Sequence, residues 1–474
     1  MSDPHPARGA PGASPPGGDT ANPSCCAGPG PGFVRKFNVS CAVLALLAIA
    51  APVSVSLVRN PKKADFGQFY MGGVVARHGA WSDMYPLPIE GRTHNAGSRR
   101  DSKMRPGYKQ LADAQGVGDV NRFMQPPPAS LLLSPLALWD YDRAHWVYSG
   151  VMVLCSWVLA LMAGHFHAIA RGRRTWVSGA VTMLVALSPL LYRTIRESQV
   201  SPVVAVSIGL ATMAWLPRRP GGPAPRRGTT AIVVAALSIL VGSLLKYAPA
   251  VLGVLILITR RWKLLGWLLG LGVAALVGSI LIMGTGPYEV FITQIGSTLG
   301  RSFKERGNQC LTGMLLRLGE REVLTPVEAS TLRVVSIVVF AGVVALLFRA
   351  RRAIAQSPPH AMAGAVALLA WLLLFGPIAW EHYFTYLCPF WGWLVWEAGQ
   401  SRWRAVVAWS AIGLTWMPWA VVPRLELPEP LVSHMMGGLF IMFGLALLRL
   451  RVAEKSDGFG SGAADQNAAR RSPV

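Results

Sequence analysis

The chain has 474 residues, 52% hydrophobic and only 14% charged, with a mean hydropathy of +0.40. Soluble domains carry about a quarter charged residues, so this balance excludes a soluble globular protein and reads as a polytopic membrane protein. The formal net charge of +22 does not imply a nucleic-acid partner. Much of the excess sits in short loops between apolar runs, around Arg171, Arg218, Arg226, Arg260, Arg349 and Arg402, which is the positive-inside pattern of cytoplasmic loops.

Residues 1 to about 33 are rich in Pro, Gly, Ser and Ala, and read as a disordered cytoplasmic tail, matched by a second tail over 453–474. The membrane domain is expected over 34–452. Its first apolar run, about 43–58, ends at Arg59-Asn60-Pro61, and Asp65 follows directly. A loop expected over 60–127 opens with Phe66, Phe69, Tyr70, Gly73 and Val74, a one-sided helical spacing that suits an interfacial helix with its aromatic face in lipid, or a small helix packed in the loop. The stretch from Glu90 to Arg122 is Gly-rich and basic and predicts no structure. After Pro126-Pro127-Pro128 the apolar run 129–139 is too short to span comfortably. If it crossed, the Arg171 and Arg218 clusters would lie outside, so it is expected to re-enter or lie peripherally.

Further spans are expected at about 144–169, 176–192, 200–216, 229–246, 248–259, 264–284, 331–348, 360–377, 383–398, 405–420 and 430–449, about twelve in all with the first. The fold class is therefore an all-α polytopic bundle, because lipid satisfies a spanning backbone only as helix or closed barrel. Both termini are then cytoplasmic. On the outer face fall Asp65, the 192–199 turn, Lys246 to Pro249, a second loop over 285–330 and Trp380 to Tyr383. Ionisable groups at membrane depth cost about 2.5–3.5 kcal/mol and mark function. Their gathering on one face predicts a site there. In the second loop Tyr288, Phe291, Ile292, Ile295, Leu299 and Phe303 recur at helical spacing, a second interfacial or lid helix.

Six cysteines show no metal or disulfide pattern, and the His165/His167 pair lies at a cytoplasmic span end, so no metal site is expected. No nucleotide-binding loop is present.

Taken in order, these short motifs resemble glycosyltransferase family 87, the polytopic GT-C enzymes. Asp65-Phe66 with Tyr70, Gly79 and Tyr85 forms the first. Pro126-Pro127-Pro128 with Ser134-Pro135-Leu136 forms the second. Ser198-Gln199 resembles a Gly-Gln turn, and Lys246 with Pro249 a Lys-x-x-Pro turn. Asn308-Gln309-Cys310 is similar to Asn-Gln-Ser, and Gly376-Pro377 with Trp380-Glu381-His382 to a Pro-then-Trp-x-His motif. Ser198, Cys310 and Tyr383 depart from the family pattern.

The resemblance implies a GT-C bundle in the plasma membrane with an extracytoplasmic active site. It also implies an inverting transfer of a hexose, mannose above all, from a polyprenyl-phosphate sugar to a lipid or glycan acceptor, with no cofactor. Asp65 is then the candidate base. Arg193, Arg196, Lys246 and His382 are candidate partners of the donor phosphate, His382 also being a candidate catalytic group. Tyr70, Gln199, Asn308, Gln309, Trp380 and Glu381 are candidates for binding sugar or acceptor. A competing reading is a transporter or flippase of a lipid-linked saccharide, but ionisable groups near the midplane and repeated halves, which a transporter would show, are not seen.

Overall fold

The computed structural model describes residues 29–59, 65–88, 102–117, 123–216, 228–295, 304–416 and 432–469. Helix α1 (Pro31–Arg59) begins slightly before the expected end of the tail. Helix α2 (Phe66–His78) follows Asp65 and stops at Gly79, whose φ of +64° suits a residue without Cβ. A two-residue antiparallel ladder, β1 (Leu87–Pro88) with β2 (Ser102–Lys103), and helix α3 (Pro106–Ala114) occupy the basic part of the first loop. The rest of that stretch, 89–101 and 118–122, lies outside the described residues.

Helix α4 (Pro127–Leu133) continues as a tighter turn to Leu138, and is too short to span. It packs on α2 instead. A Cβ at Gly73 would stand 2.4 Å from the Leu133 carbonyl oxygen, and Tyr70 Oη lies 3.0 Å from the Trp139 carbonyl. Helix α2 is thereby a buried helix: Phe66 to Val75 are all inside, with Phe66 stacked on Tyr141. Its aromatic face meets protein rather than lipid.

Helix α5 (Tyr141–Arg171) is capped by Asp140, which accepts from the Arg143 amide, and closed by Gly172 at φ +82°. Helices α6 (Trp176–Ala186) and α7 (Pro189–Arg196) form one span bent by 41°, where Ser188 caps a new helix and Pro189 cannot donate to the old one. Helices α8 (Ser201–Trp215), α9 (Thr229–Leu245) and α10 (Leu252–Ile258) follow, then α11 (Trp262–Met283) and the short α12 (Gly286–Val290). Of the second loop's amphipathic stretch, Phe291 rests against Tyr85 of the first loop, whereas Leu299 and Phe303 lie outside the described residues.

Helix α13 (Leu311–Leu318) leads to α14 (Pro326–Arg349), started by a Thr325/Glu328 capping box. Then come α15 (Arg351–Gln356) and α16 (Pro358–Phe375), the most enclosed span. A tight turn of helix (Glu381–Phe390) precedes α17 (Trp391–Ala398), α18 (Arg402–Trp416) and α19 (His434–Ala469), which carries on as helix into the stretch expected as a tail.

By length and composition six described helices are able to cross a membrane, seven with the bent pair, rather than about twelve. The others expected as spans are short, as α8, α9, α10 and α18 are, or broken, as 383–398 is by the turn before α17. The physical reason lies in their ends. Helix α9 finishes at Lys246, whose ammonium donates to Tyr383, so this end is met by protein and the helix does not need the full hydrocarbon thickness.

The chain reverses consistently. Asn38, near the start of α1, donates to the Thr175 carbonyl at the far end of α5, so Asp65 beyond α1 and the first turn of α5 share the opposite end. The far end also holds Glu397, ion-paired to Arg404 at 2.8 Å and Arg449 at 3.6 Å. Helices α5 and α17 cross closely enough that a Cβ at Gly392 would sit 1.9 Å from the Ala163 carbonyl oxygen, both on backbone that has no room to give. Gly392→Ala is therefore expected to destabilise the bundle by about 2–3 kcal/mol, read as a lower thermal midpoint in detergent. An unchanged midpoint would show that the crossing is looser than the structure has it.

Candidate active site

Asp65 takes the N-cap position of α2, yet its side chain caps no amide of that helix. Instead Gln199 Nε2 donates to its Oδ2. What puts Gln199 there is the way α7 ends. The Ser198 amide bonds the Ile195 carbonyl at 2.9 Å and the Gln199 amide bonds the Thr194 carbonyl at 3.0 Å, the paired bonds of a Schellman cap. Such a cap needs a left-handed residue, and Ser198 has φ +54°. That conformation costs a non-glycine residue about 1 kcal/mol, which is why a Gly-Gln turn is the expected sequence here and why Ser is a departure.

Lys246 stands just past the last turn of α9, where the carbonyl end of the helix favours a cation. Asp65 and Lys246 are within electrostatic reach of one another. Packing lowers the ammonium to about 8, against the upward pull of Asp65. Lys246 Nζ donates to Tyr383 Oη at 3.4 Å and lies 5.0 Å from that ring's centre. Tyr383, the position where the sequence departs from the family pattern, thus meets the lysine directly.

His382 packs edge-on to Tyr383, ring centres 4.7 Å apart, and its Nε2 is buried without a hydrogen-bond partner. Burial, and after it the charges of Lys246 and Arg193, hold this imidazole well below its usual range. That favours the neutral imidazole, which serves as a hydrogen-bonding group. Arg193 is engaged on both sides, Nε to Glu197 at 2.8 Å and Nη1 to the buried Glu381 at 2.7 Å. Its charge is balanced within the protein, and removal of either buried partner would strand the other. Arg196 is exposed at the end of α7, and no described contact brings it into the cluster.

The remaining candidates bond mostly to backbone. Tyr70 Oη lies 2.9 Å from Gln115 Oε1 and 3.0 Å from the Trp139 carbonyl, and the residue is wholly buried. Asn308 and Gln309 stitch the second loop to the segment before His382. Asn308 Oδ1 accepts from the Ala379 amide at 2.8 Å and the Gln309 amide donates to the Ala379 carbonyl at 2.8 Å. Gln309 Nε2 donates to Arg306 and Val432 carbonyls. Trp380 pairs with Asn308 across a short antiparallel bridge and covers Gly307. Cys310 accepts from the Gly313 amide at 3.3 Å and so caps α13, a task a serine would also perform. These contacts position the site, while Gln309 Oε1 is buried without a hydrogen-bond partner.

Two residues escaped the sequence reading. His145 Nε2 lies 3.2 Å from Ser198 Oγ, and Tyr148 Oη donates to the Ser198 carbonyl at 3.0 Å. Both come from the first turns of α5, and the available signal was an ionisable group inside an apolar run. Among the described residues no group of three or more His, Cys, Asp or Glu side chains is arranged to hold a metal ion.

Fold and site together define a class: a membrane protein with several spans and a buried, ionisable cluster at one end of its helical bundle. Residues 123–377, more than half of the chain, match the model of glycosyltransferase family 87. The chain belongs to that family and is a glycosyltransferase. No curated protein matches it. The matched span holds Arg193, Gln199, Lys246, Asn308 and Gln309, while Asp65 lies before it and His382 just beyond.

Proposed function

We propose that the protein is an inverting hexosyltransferase of the plasma membrane that moves a sugar, mannose first among the choices, from a polyprenyl-phosphate donor to a lipid or glycan acceptor on the extracytoplasmic side. The observation that carries this reading is the convergence of Asp65, Lys246 and His382 from distant parts of the chain. Asp65 takes the proton of the acceptor hydroxyl as that oxygen attacks C1 of the donor sugar from the face opposite the phosphate. The C1–O bond breaks, and its electron pair leaves with the polyprenyl phosphate, which gains a negative charge. Lys246 meets that charge in a site poor in water, and the free Nε2 of His382 supplies a neutral hydrogen bond to the same phosphate or to the sugar. Arg193, held by two carboxylates, contributes through the placement of His382 rather than by binding phosphate. The isoprenoid tail remains in the bilayer that surrounds the bundle.

Purified protein given labelled polyprenyl-phosphate mannose and a membrane-lipid acceptor extract is expected to yield a labelled product with inverted anomeric configuration. Absence of transfer from every polyprenyl-phosphate hexose tried, with uptake of the lipid-linked sugar into proteoliposomes instead, would favour the transporter and overturn the reading.

A further inference from the structure

The turn that delivers Gln199 to Asp65 has an unfavoured backbone conformation and is contacted by two side chains from another helix. Ser198 sits at φ +54°, the left-handed region that glycine enters freely and serine does not. Two groups from α5 grip it: His145 Nε2 at 3.2 Å from its Oγ, and Tyr148 Oη on its carbonyl at 3.0 Å. His145 is almost wholly buried, and the Phe66 ring, next to Asp65, packs 5.1 Å from it and 5.0 Å from Tyr148. The same side chains therefore support both halves of the Asp65–Gln199 contact. On the Asp65 side they back Phe66, and on the Gln199 side they fix the residue before it.

We infer that His145 is a positioning residue for the transferase reaction: by clamping Ser198 in the left-handed conformation it holds the Gln199 amide against the Asp65 carboxylate. The inference rests on the reading of Asp65 as the base. It gives the serine a physical consequence. A glycine at this turn would need no clamp, whereas serine at the same φ is kept there by tertiary contacts, and His145 makes the one that requires the side-chain hydroxyl. If the clamp is released, Ser198 relaxes toward negative φ, the chain direction after α7 changes, and Gln199 swings off Asp65. The acceptor proton is then taken by a carboxylate free to rotate. The chemical step suffers, while the donor phosphate still finds Lys246 and His382, which the clamp does not touch.

The test is a four-cornered cycle with His145→Leu and Ser198→Gly, assayed with labelled polyprenyl-phosphate mannose and the acceptor extract. His145→Leu in the otherwise natural chain is expected to lower kcat about tenfold and leave the donor KM within about twofold. In a Ser198→Gly background the same His145→Leu change is expected to cost less than about twofold, because glycine holds the turn unaided. Ser198→Ala, which keeps the Cβ that disfavours this φ but removes the hydroxyl, is expected to lose about as much as His145→Leu and to add nothing to it. Equal losses from His145→Leu in both backgrounds, or a loss confined to KM, overturn the inference.

Asp65→Asn separates this failure from that of the underlying reading. An inactive Asp65→Asn with additive His145 and Ser198 effects sinks the clamp alone, whereas an Asp65→Asn as fast as the natural protein sinks the base assignment and the clamp's catalytic role with it. Thermal midpoints of the same four proteins report folding. If the natural protein transfers no sugar, additive midpoint shifts overturn the clamp as a structural device as well.

Discussion

Asp65→Asn is expected to lower kcat by two to four orders of magnitude, the range that a positioned general base contributes, with the fold intact. The substitution keeps shape and polarity. An asparagine at the N-cap of α2 is as acceptable as aspartate, and its amide oxygen is able to take the Gln199 Nε2 hydrogen that Asp65 Oδ2 now accepts. Only the capacity to receive a proton disappears. The change reaches Lys246 too, since Asp65 pulls that ammonium upward. Without the carboxylate, Lys246 loses its proton more easily, so the comparison belongs near pH 7 or below. A decisive result is a fall in kcat with donor KM little altered. A variant that transfers sugar at the natural rate would remove Asp65 from the chemistry.

The parts of this site that the sequence made legible are those whose residue type has few uses near a membrane. Asp65, Lys246 and His382 each stand where an ionisable group is costly, and the structure draws them together. Amide and phenol groups were harder to read. Tyr70, Asn308 and Gln309 suit sugar hydroxyls as well as they suit backbone groups, and only the tertiary contacts reveal that each of them bonds backbone. The departure of Ser198 from a Gly-Gln turn did carry information, but about φ rather than about substrate. Charge alone did not reveal the surroundings of Arg193 and Arg196. Glu381 and Glu197 balance the first, and the second faces outward. The count of about twelve spans is not borne out, for a related reason. Hydropathy registers a run such as 383–398 as continuous, whereas the turn of Glu381–Phe390 breaks it so that His382 and Tyr383 point into the cluster.

Loss of the Lys246 charge should cost nearly as much as loss of the base, and pH should show it in the unmodified protein. The ammonium titrates at about 8, well under a free lysine, because burial disfavours the charged form and Asp65 restores only part of the difference. A group whose pKa is lowered in this way is cationic below that value and neutral above it. The kcat/KM for donor, which reports the free enzyme, is therefore expected to fall as pH rises through about 8. Lys246→Met removes the cation at every pH. It should lower kcat/KM about a hundredfold near pH 7, in keeping with the worth of one charge aimed at a developing anion in a dry site, and should abolish the alkaline fall. Lys246→Arg supplies a cation that does not titrate in this range. If it retains activity, its profile should stay level through pH 8, although the broader guanidinium must still fit beside Tyr383. An alkaline fall that survives in Lys246→Met would assign the titration to another group. The phosphate would then need a different partner, with Arg193 available only at the expense of its two ion pairs.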